Sequence, residues 1–341
     1  MLKTAVIGYG LSAQAFHLPF IRQQPELQLV AISSSQAQVR QDYPDIQHYL
    51  QAEQLIADTD AELVVITSPN DTHFPLARQA LLAGKHVLVE KPFVVTTQQG
   101  EELIKLAKQQ QRQLLVYHNR RYDGDFLTLQ QLIRDQRLGQ IRYFESHFDR
   151  FRPQPRSRWR EQAGAGTGIL FDLGPHLLDQ ALLLFGLPQA LSAHCRQLRP
   201  GAESTDFFQL HLHYPDKEVL LNSSPFCANP NLRYLLQGQL GSFVKYGLDP
   251  QEDALRAGQL PGHPEWGQEP VTAHGQLYLA EQPALTLPTQ AGNYQRFYQD
   301  MVATLLKGAA APVSAEEALQ GIRLIELAYQ SSQQGRTLEV H

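Results

Sequence analysis

Cysteine is scarce in this sequence, and long apolar runs are absent. The 341 residues include two cysteines, Cys195 and Cys227, with neither a CxxC spacing nor an accompanying histidine pattern. This argues against a disulfide framework and against a zinc site, and we expect no bound metal. No apolar run reaches the roughly 18 residues that a membrane-spanning helix needs, so we expect no contact with a membrane.

Charge and composition exclude other classes of partner. The net charge of −5 disfavours a nucleic-acid surface, because such surfaces are strongly basic. Hydrophobic residues make up 43% and charged residues 18%, which is typical of a globular chain without disordered tracts. The first predicted strand begins within three residues of Met1, which leaves no room for a signal peptide. We therefore expect a cytoplasmic protein.

The first third of the chain alternates short apolar runs with helical patterns. Such alternation predicts βαβ units and a parallel sheet, and the near-continuous apolar strands indicate that both faces of the sheet are buried. We therefore predict a dinucleotide-binding domain of the doubly wound Rossmann type over residues 1–122. The predicted strands are Thr4–Ile7, Leu29–Ser33, Leu63–Thr67, His86–Val89 and Leu114–Tyr117, and the predicted helices run from Thr72 to Ala83, ending at Gly84, and from Gln98 to Gln111, capped by Thr96 or Thr97.

The pattern changes after Asp123. Several strand-like runs with few helices between them predict an open, mainly antiparallel sheet that helices cover on one face. The whole chain is thus predicted to be α/β, with a second, α+β domain over residues 123–341. Ser314 and Glu317 have the spacing of a capping box before the last helix. The predicted strands are Gln140–Phe148, Ala190–Leu198, Phe207–Tyr214, Glu218–Asn222, Leu232–Gly238 and Ser242–Tyr246, and the predicted helices are Phe126–Arg137, Tyr294–Leu306 and Ala315–Gln333.

A glycine loop follows the first predicted strand. Residues Gly8-Tyr9-Gly10-Leu11-Ser12-Ala13 match the pattern G-x-G-x-x-G/A. The first glycine of this pattern permits a tight turn, and the second lets a pyrophosphate approach the backbone and the amides of the following helix. A glycine turn between a strand and a helix can also be purely structural, but its position at the chain start favours dinucleotide binding.

The end of the second predicted strand bears on the choice of cofactor. A site for NAD places Asp or Glu there to bind the ribose hydroxyls. This chain has Ser33-Ser34-Ser35 instead, with Arg40 further on. Hydroxyl donors accept a 2′-phosphate that a carboxylate would repel, so the sequence predicts NADP rather than NAD. The alternative is a neutral turn that has no role in binding.

Three side chains in two motifs could carry out the chemistry of an alcohol or a carbonyl. Lys91 lies in Val89-Glu90-Lys91-Pro92-Phe93, and Asp172 and His176 lie in the glycine-rich motif that starts at Gly166. They supply a cation, an acceptor and a proton-transfer imidazole, and the spacing of Asp172 and His176 places both on one face of a helix. The alternatives are a solvated lysine paired with Glu90 and a buried Asp–His pair without a catalytic role.

In their order, these motifs resemble the glucose–fructose oxidoreductase/inositol dehydrogenase (Gfo/Idh/MocA) family over nearly the whole chain. Three stretches are similar to a narrower branch, which includes NADP-dependent scyllo-inositol dehydrogenases and many proteins of unassigned substrate. The family motifs are Gly8-x-Gly10 with His17-Leu18-Pro19, then Thr67-Ser68-Pro69-Asn70-x-x-His73, Glu90-Lys91-Pro92 and Asp172-x-Gly174-x-His176, and the stretches of the branch begin at Tyr122, Glu145 and Asp172.

The resemblance implies the same two domains, of which the second binds substrate and forms oligomers, and a homodimer or homotetramer that pairs through the open sheet. It implies catalytic roles for Lys91, Asp172 and His176, and a cis peptide bond between Lys91 and Pro92. Trp159 and Arg160 are implied to lie near the nicotinamide. Besides the loop at residues 8–13 and the serines at 33–35, the residues implied to bind the cofactor are Thr67, Ser68, Pro69, Asn70, His73, Glu90, Lys91, Pro92, Asn119, Trp159 and Arg160.

We therefore expect an NADP(H)-dependent dehydrogenase or reductase that acts on the CH–OH group of a cyclic polyol or sugar, such as a scyllo-inositol-like compound, or on its keto form. His176 is expected to accept the hydroxyl proton, Asp172 to orient the imidazole, and Lys91 to hold the reacting oxygen. The alternative is a regulatory protein of the same fold that senses a dinucleotide or sugar, which has no need of all three groups. Candidates for lining the sugar site are Tyr122, Arg152 and Trp159.

Overall fold

Six strands within the first 119 residues form a parallel sheet. They are β1 (Leu2–Ile7), β2 (Leu27–Ser33), β3 (Gln47–Tyr49), β4 (Leu63–Ile66), β5 (His86–Glu90) and β6 (Leu114–Tyr117). The order β3-β2-β1-β4-β5-β6 reverses direction between β1 and β4, which confirms the predicted doubly wound fold. Every residue of β4 and of β6 is buried, as expected for strands covered on both faces.

Helices connect these strands, and two of their ends follow the predicted signals. The helices are α1 (Leu18–Gln23), α2 (Gln38–Asp42), α3 (Ala52–Asp58), α4 (His73–Leu82) and α5 (Thr97–Gln109). Gly84 has a φ of +70° just beyond α4, and the Thr96 side chain accepts the Gln99 amide at 3.3 Å before α5. A π-helical segment, Ala13–His17, precedes α1 and was not predicted; Pro19, in the next turn, has no amide to donate to a regular α-helical ladder.

A nine-stranded sheet is built from later parts of the chain. Its strands are β7 (Ile141–His147), β8 (Ala190–Arg196), β9 (Phe207–His213), β10 (Glu218–Ser223), β11 (Leu232–Gly238), β12 (Gly241–Tyr246), β13 (Gly275–Leu279), β14 (Leu285–Leu287) and β15 (Leu338–Glu339). The order is β14-β13-β12-β11-β7-β10-β9-β8-β15, and only β7 and β10 pair in parallel. This confirms the predicted, mainly antiparallel sheet, although β13, β14 and β15 were not predicted.

Alternation along β9 shows how this sheet is covered. Phe208, Leu210 and Leu212 are buried, whereas the residues between them are half-buried. Strand side chains point alternately to opposite faces, so the buried set shares one face. A long helix packs against β9 and β10. It is α7 (Ile169–Phe185), and the other helices are α6 (Gly124–Arg134), α8 (Gln251–Arg256), α9 (Tyr294–Lys307) and α10 (Ala315–Gln334).

The computed structural model describes all 341 residues, and they fall into two units. The first comprises residues 1–119, 252–264 and 294–320, and the second comprises residues 120–251, 265–293 and 321–341. Two segments from beyond residue 122, the predicted boundary, are therefore part of the first unit. No helix is both long enough and apolar enough to cross a bilayer.

Candidate active site

The glycine loop lies between β1 and the helical turn that follows it. Gly8 has a φ of +101°, and a Cβ there would lie 2.6 Å from Thr67 Oγ1, so the position requires glycine. At Gly10 a Cβ would have no atom within 4 Å, which leaves open space beside the backbone. Ala13 is fully buried, as the third position of the motif demands. The loop therefore fits a dinucleotide whose pyrophosphate lies close to Gly10.

The residues expected to bind cofactor in the first unit gather at one edge of its sheet. All six strands are parallel, so their carboxyl ends meet at the same edge, where doubly wound folds bind ligands. The members that follow strand ends are Gly8–Ala13 after β1, Ser34–Ser35 after Ser33 of β2, Thr67–Asn70 after β4, Lys91–Pro92 after Glu90 of β5, and Asn119 after β6, while His73 begins α4.

Glu90, the last residue of β5, is held through both carboxylate oxygens. Oε1 accepts the Ser12 hydroxyl and lies 3.0 Å from His17 Nε2, and Oε2 accepts the Lys91 amide at 3.0 Å. Burial alone would raise the pKa of Glu90, but contact with His17 and the charge of Lys91 outweigh it and lower the pKa to about 2. His17 Nδ1 lies 2.6 Å from the Tyr298 hydroxyl. The ionised carboxylate of Glu90 is therefore fixed in place, and it holds the backbone amide of Lys91.

The loop after Lys91 is tied to the loop after β4. The Lys91–Pro92 peptide bond is cis, as the resemblance implied. His73 Nδ1 lies 2.8 Å from the Pro92 carbonyl oxygen, and its Nε2 lies 3.0 Å from the Ser68 carbonyl oxygen. Thr67 Oγ1 donates to the Ile7 carbonyl oxygen at 2.8 Å. Thr67, Ser68 and His73 thus connect strand ends of the predicted cofactor site.

Hydrogen-bond donors surround the end of β2. His48 Nε2 lies 2.8 Å from the Ser34 carbonyl oxygen, and Arg40 Nε donates to His48 Nδ1 at 3.0 Å. The guanidinium of Arg40 is thereby held in the neighbourhood of Ser34. Asp42 is the nearby carboxylate, and it accepts the Tyr9 hydroxyl. Arg40 and the Ser34 hydroxyl are groups that can donate hydrogen bonds to an anion, whereas Asp42 is itself a carboxylate that is engaged by Tyr9.

In the second unit, Asp172 and His176 lie on α7 as predicted. Gly168 precedes the helix with a φ of +86°, and a Cβ there would lie 2.8 Å from the Thr205 carbonyl oxygen. Asp172 is in the first turn, where its amide donates to the Gly168 carbonyl oxygen at 3.0 Å. His176 follows one turn later and is buried. The two side chains share one face of the helix.

The rotation of α7 is fixed by side chains from other elements. Gln180 lies one turn beyond His176, and its Oε1 accepts Arg233 Nη2 and the Tyr234 hydroxyl, each at 2.9 Å. Asp179 accepts two hydrogen bonds from Arg121, at 2.9 and 2.7 Å. Such paired, charge-assisted bonds are geometrically specific. They fix the direction in which the face of α7 with Asp172 and His176 points.

A cavity in the second unit includes the start of α7. Among the predicted site residues, Arg152, Arg160 and Asp172 line it, so the fold brings these three together. Arg160 Nε lies 3.6 Å from Asp172 Oδ1, and its guanidinium lies 4.6 Å from the centre of the Trp159 ring. Tyr122 does not line this cavity.

Sequence reasoning missed most of the positive charge in the cavity. Arg150, Arg158 and Arg199 also line it, whereas His176 does not. A signal was present, because five arginines lie between residues 150 and 160 of a chain whose net charge is −5. The whole-chain charge concealed this local excess.

Three side chains elsewhere in the second unit have donor atoms close enough together to bind a metal ion. Those of His211, His213 and Glu218 all lie within 4.8 Å of one another. Glu218 Oε2 is 2.9 Å from His211 Nε2 and 3.1 Å from His213 Nδ1, so contacts of the two imidazoles with one carboxylate account for the cluster. The absence of a metal stays a prediction.

Known proteins resemble this chain along its length. Residues 2–118 match the NAD-binding Rossmann fold of the GFO_IDH_MocA oxidoreductase family, and residues 130–340 match its C-terminal α/β domain. The uncharacterized oxidoreductase YdgJ of Escherichia coli is 46% identical, over 99% of this chain and 98% of the relative. The scyllo-inositol 2-dehydrogenase (NADP⁺) IolW of Bacillus subtilis is 38% identical, over 99% and 95%. A solved structure of yvaA of Bacillus subtilis superposes with a TM-score of 0.96 at 38% identity, covering 100% of this chain and 98% of that one.

Proposed function

The chain belongs to the Gfo/Idh/MocA family of NAD(P)-dependent oxidoreductases, and from that premise we propose that it transfers hydride between NADP(H) and a cyclic polyol or sugar, such as a scyllo-inositol-like compound, or its keto form. The observation that carries the proposal is the placement of Lys91. This lysine directly follows β5, at the sheet edge that also bears the glycine loop. The relative IolW, named as acting on scyllo-inositol with NADP⁺, supports the substrate class.

Each proposed catalytic residue has a distinct task. The bound nicotinamide would supply or take up the hydride. His176 accepts the proton of the substrate hydroxyl and returns it in reduction, with Asp172 orienting the imidazole. Lys91 holds the reacting oxygen and stabilises developing negative charge on it. The ionised Glu90 positions the backbone of Lys91, because its Oε2 accepts a hydrogen bond from the Lys91 amide at 3.0 Å.

We also propose which residues bind the cofactor. Gly8–Ala13 would hold the pyrophosphate, and the hydroxyl groups of Ser33–Ser35, with Arg40, would hold a 2′-phosphate. Trp159 and Arg160 are proposed to lie beside the nicotinamide, and Tyr122 to contact substrate. The remaining proposed contacts are made by Thr67, Ser68, Pro69, Asn70, His73, Glu90, Lys91, Pro92 and Asn119.

The test is NADPH consumption by the purified protein with a panel of inososes, sugars and dicarbonyls, and NADP⁺ reduction with the corresponding polyols. We expect turnover of at least one cyclic keto-polyol or sugar. His176→Ala should lower kcat by roughly a hundredfold or more, the usual contribution of a positioned acid–base group. Lys91→Met should have a comparable effect with little change in the Kd of NADPH.

Matched controls separate a catalytic role from general damage. His194→Ala and Lys105→Met replace exposed residues of the same types outside the proposed site and should leave kcat unchanged. NADPH binding with no turnover of any compound would contradict the proposal and favour the sensor. Near-normal kcat in both site variants would contradict the catalytic roles of Lys91 and His176.

The same proposal includes a homodimer or homotetramer that forms through the nine-stranded sheet. The half-buried side chains of β9 that alternate with its buried ones offer a broad surface for such pairing. Light scattering of the purified protein should give a mass of two or four chains of 38.4 kDa. A single-chain mass at micromolar concentration would contradict it.

A further inference from the structure

The cavity at the start of α7 is unusually rich in arginine. Its lining contains five guanidinium groups but only three carboxylates, which leaves an excess of two positive charges. The whole chain, in contrast, has a net charge of −5. The cavity is therefore positively charged, although the net charge of the whole chain is negative. Its arginines are Arg150, Arg152, Arg158, Arg160 and Arg199.

All three carboxylates lie close to arginines, and Asp172 Oδ1 is 3.6 Å from Arg160 Nε. Glu161 accepts Arg158 Nε at 2.7 Å and lies 2.9 Å from Arg199 Nη1. Asp206 accepts Arg199 Nε at 3.0 Å. Burial would raise the pKa of Glu161, but the Arg156 amide, with Arg158 and Arg199, lowers it, so the carboxylate stays ionised. These contacts involve Arg158, Arg160 and Arg199, and the lining as a whole still has two more guanidinium groups than carboxylates.

Arg152 is the member whose surroundings are least favourable to a cation. It is half-buried, and burial together with the charges of Arg150, Arg156 and Arg158 lowers its pKa to about 10, while Asp172 opposes them more weakly. The group remains protonated at neutral pH. A cation held among other cations is unfavourable unless an anion compensates it.

Other groups around the cavity suit an anion as well. Gly168 and Ile169 belong to the start of the 17-residue helix α7, whose amide end carries partial positive charge. Hydroxyl groups of four further residues line the cavity, although that of Ser223 already donates to the Phe148 carbonyl oxygen at 2.8 Å. They are Ser204, Thr205, Ser223 and Ser224.

We infer that this cavity binds an anionic group of the substrate, a carboxylate or a phosphoryl group, so that the substrate is an acidic or phosphorylated polyol or sugar. Planar guanidinium groups bind both anions in a two-point geometry. The inference rests on the proposed function, because it places this anion in the cavity that Asp172 lines. A neutral polyol would bring no negative charge to a cavity whose lining has two more guanidinium groups than carboxylates.

Binding measurements with matched compounds test the inference without requiring turnover. Titration calorimetry on the full-length protein saturated with NADP⁺ would compare D-glucose with D-glucuronate and D-glucose 6-phosphate, and myo-inositol with its monophosphate. At least one charged compound should bind tenfold or more tightly than its neutral partner. Inorganic phosphate, a probe without a carbon skeleton, should compete with that compound. Equal affinities within every pair, or no binding of any charged compound or of phosphate, would overturn the inference.

Variants of Arg152 assign the effect to the cavity. Arg152→Gln should weaken binding of the charged compound and of phosphate on the order of tenfold or more, and Arg152→Lys should restore part of it. Arg142→Gln removes an exposed arginine of β7 and should change neither affinity. Unchanged binding of the charged compound by Arg152→Gln would overturn the inference.

The same variants distinguish this anion from a cofactor phosphate and from failure of the proposed function. If Arg152→Gln weakens NADPH tenfold and leaves the charged sugars unaffected, the cavity serves the cofactor and the inference is wrong. If neutral polyols are turned over equally by wild type and Arg152→Gln, the proposed function stands and only the anion site fails. Tight anion binding without any turnover would contradict the proposed function and leave the anion site in place.

Discussion

Ser34, a single residue at the end of β2, is expected to influence the choice between the two nicotinamide cofactors. Hydrogen bonds to a charged partner contribute about 1.5–3 kcal/mol each, so two good donors to a 2′-phosphate give a tenfold or larger preference. Ser34→Asp should weaken NADPH binding much more than NADH binding. The measurement is the ratio of kcat/KM for the two cofactors. The matched control is Ser34→Asn, because asparagine has nearly the same shape as aspartate but no charge. A wild-type ratio in favour of NADH would refute the assignment.

His147 on β7 gives a prediction about pH. Its ring nitrogens lie 2.6 Å from Glu145 and 2.7 Å from Asp149. Burial would lower the pKa of His147, but these carboxylates outweigh it and raise the pKa from 6.5 to about 9. A raised pKa of a cationic group means that its stabilisation is fully present below pH 6.5 and disappears as the pH rises through 9.

His147→Gln should therefore cost about 1–2 kcal/mol of unfolding free energy near pH 6, after allowance for solvent screening, and less near pH 10. Urea unfolding at both pH values gives the difference. His194→Gln, at an exposed position of β8, should show no such dependence. A cost for His147→Gln that is constant or grows with pH would rule out the charged state.

The most predictable residues were those whose backbone conformation requires a particular amino acid. The turn at Gly8 and the helix end at Gly84 follow from glycine's freedom at positive φ, which depends on no distant partner. The partners of Glu90 could not be predicted. Ser12 lies 78 positions away in the sequence and His17 lies 73 away, and only the completed sheet brings them together.

At the scale of elements, α7 depends on Gln180 for its orientation. Gln180→Leu leaves the fully buried Arg233 and Tyr234 without this acceptor, at a cost of about 2–3 kcal/mol of unfolding free energy. Because Asp172 and His176 lie on the same helix, kcat should fall more than the affinity for cofactor. Urea unfolding and steady-state kinetics measure the two effects.

The control for this prediction is Gln131→Leu, at a position on α6 where the amide contacts only an exposed Asp135. It should change neither stability by more than about 0.5 kcal/mol nor kcat. Gln180→Glu keeps an acceptor for Arg233 and should recover much of the lost activity. Full activity in Gln180→Leu would show that other contacts suffice to position the helix.

Strongly patterned elements were predicted well, and short ones were not. β9 alternates over seven residues, and its pattern alone identified the strand. β3 and β14 have three residues each, too few for a periodic signal, and they exist because a neighbouring strand offers hydrogen bonds. The capping box was confirmed, with the Glu317 amide donating to Ser314 Oγ at 3.1 Å.

At the scale of the whole molecule, the order of motifs predicted the family and the two sheets, but not which segments form each unit. Helix α9 belongs to the first unit. Its Tyr298 ring stacks on Phe20 with centroids 5.6 Å apart, and its hydroxyl meets His17. Phe297 lies edge-on to Tyr117 at 4.7 Å. Sequence patterns reveal that α9 is amphipathic, but they do not reveal which core its apolar face covers.

A fragment of residues 1–122, the predicted dinucleotide-binding domain, should therefore fail to fold cooperatively. Loss of one large buried aromatic typically costs about 3–5 kcal/mol, and removing α9 takes away both Phe297 and Tyr298 from a unit whose total stability is of the order of 5–15 kcal/mol. Circular dichroism during heating should show a broad, shallow transition for the fragment and a sharp one for the full chain. In the full chain, Tyr298→Phe loses only the bond to His17 and should unfold cooperatively, whereas Tyr298→Ala should be several kcal/mol less stable. A fragment that melts sharply near the temperature of the full chain would show that α9 is dispensable to this fold.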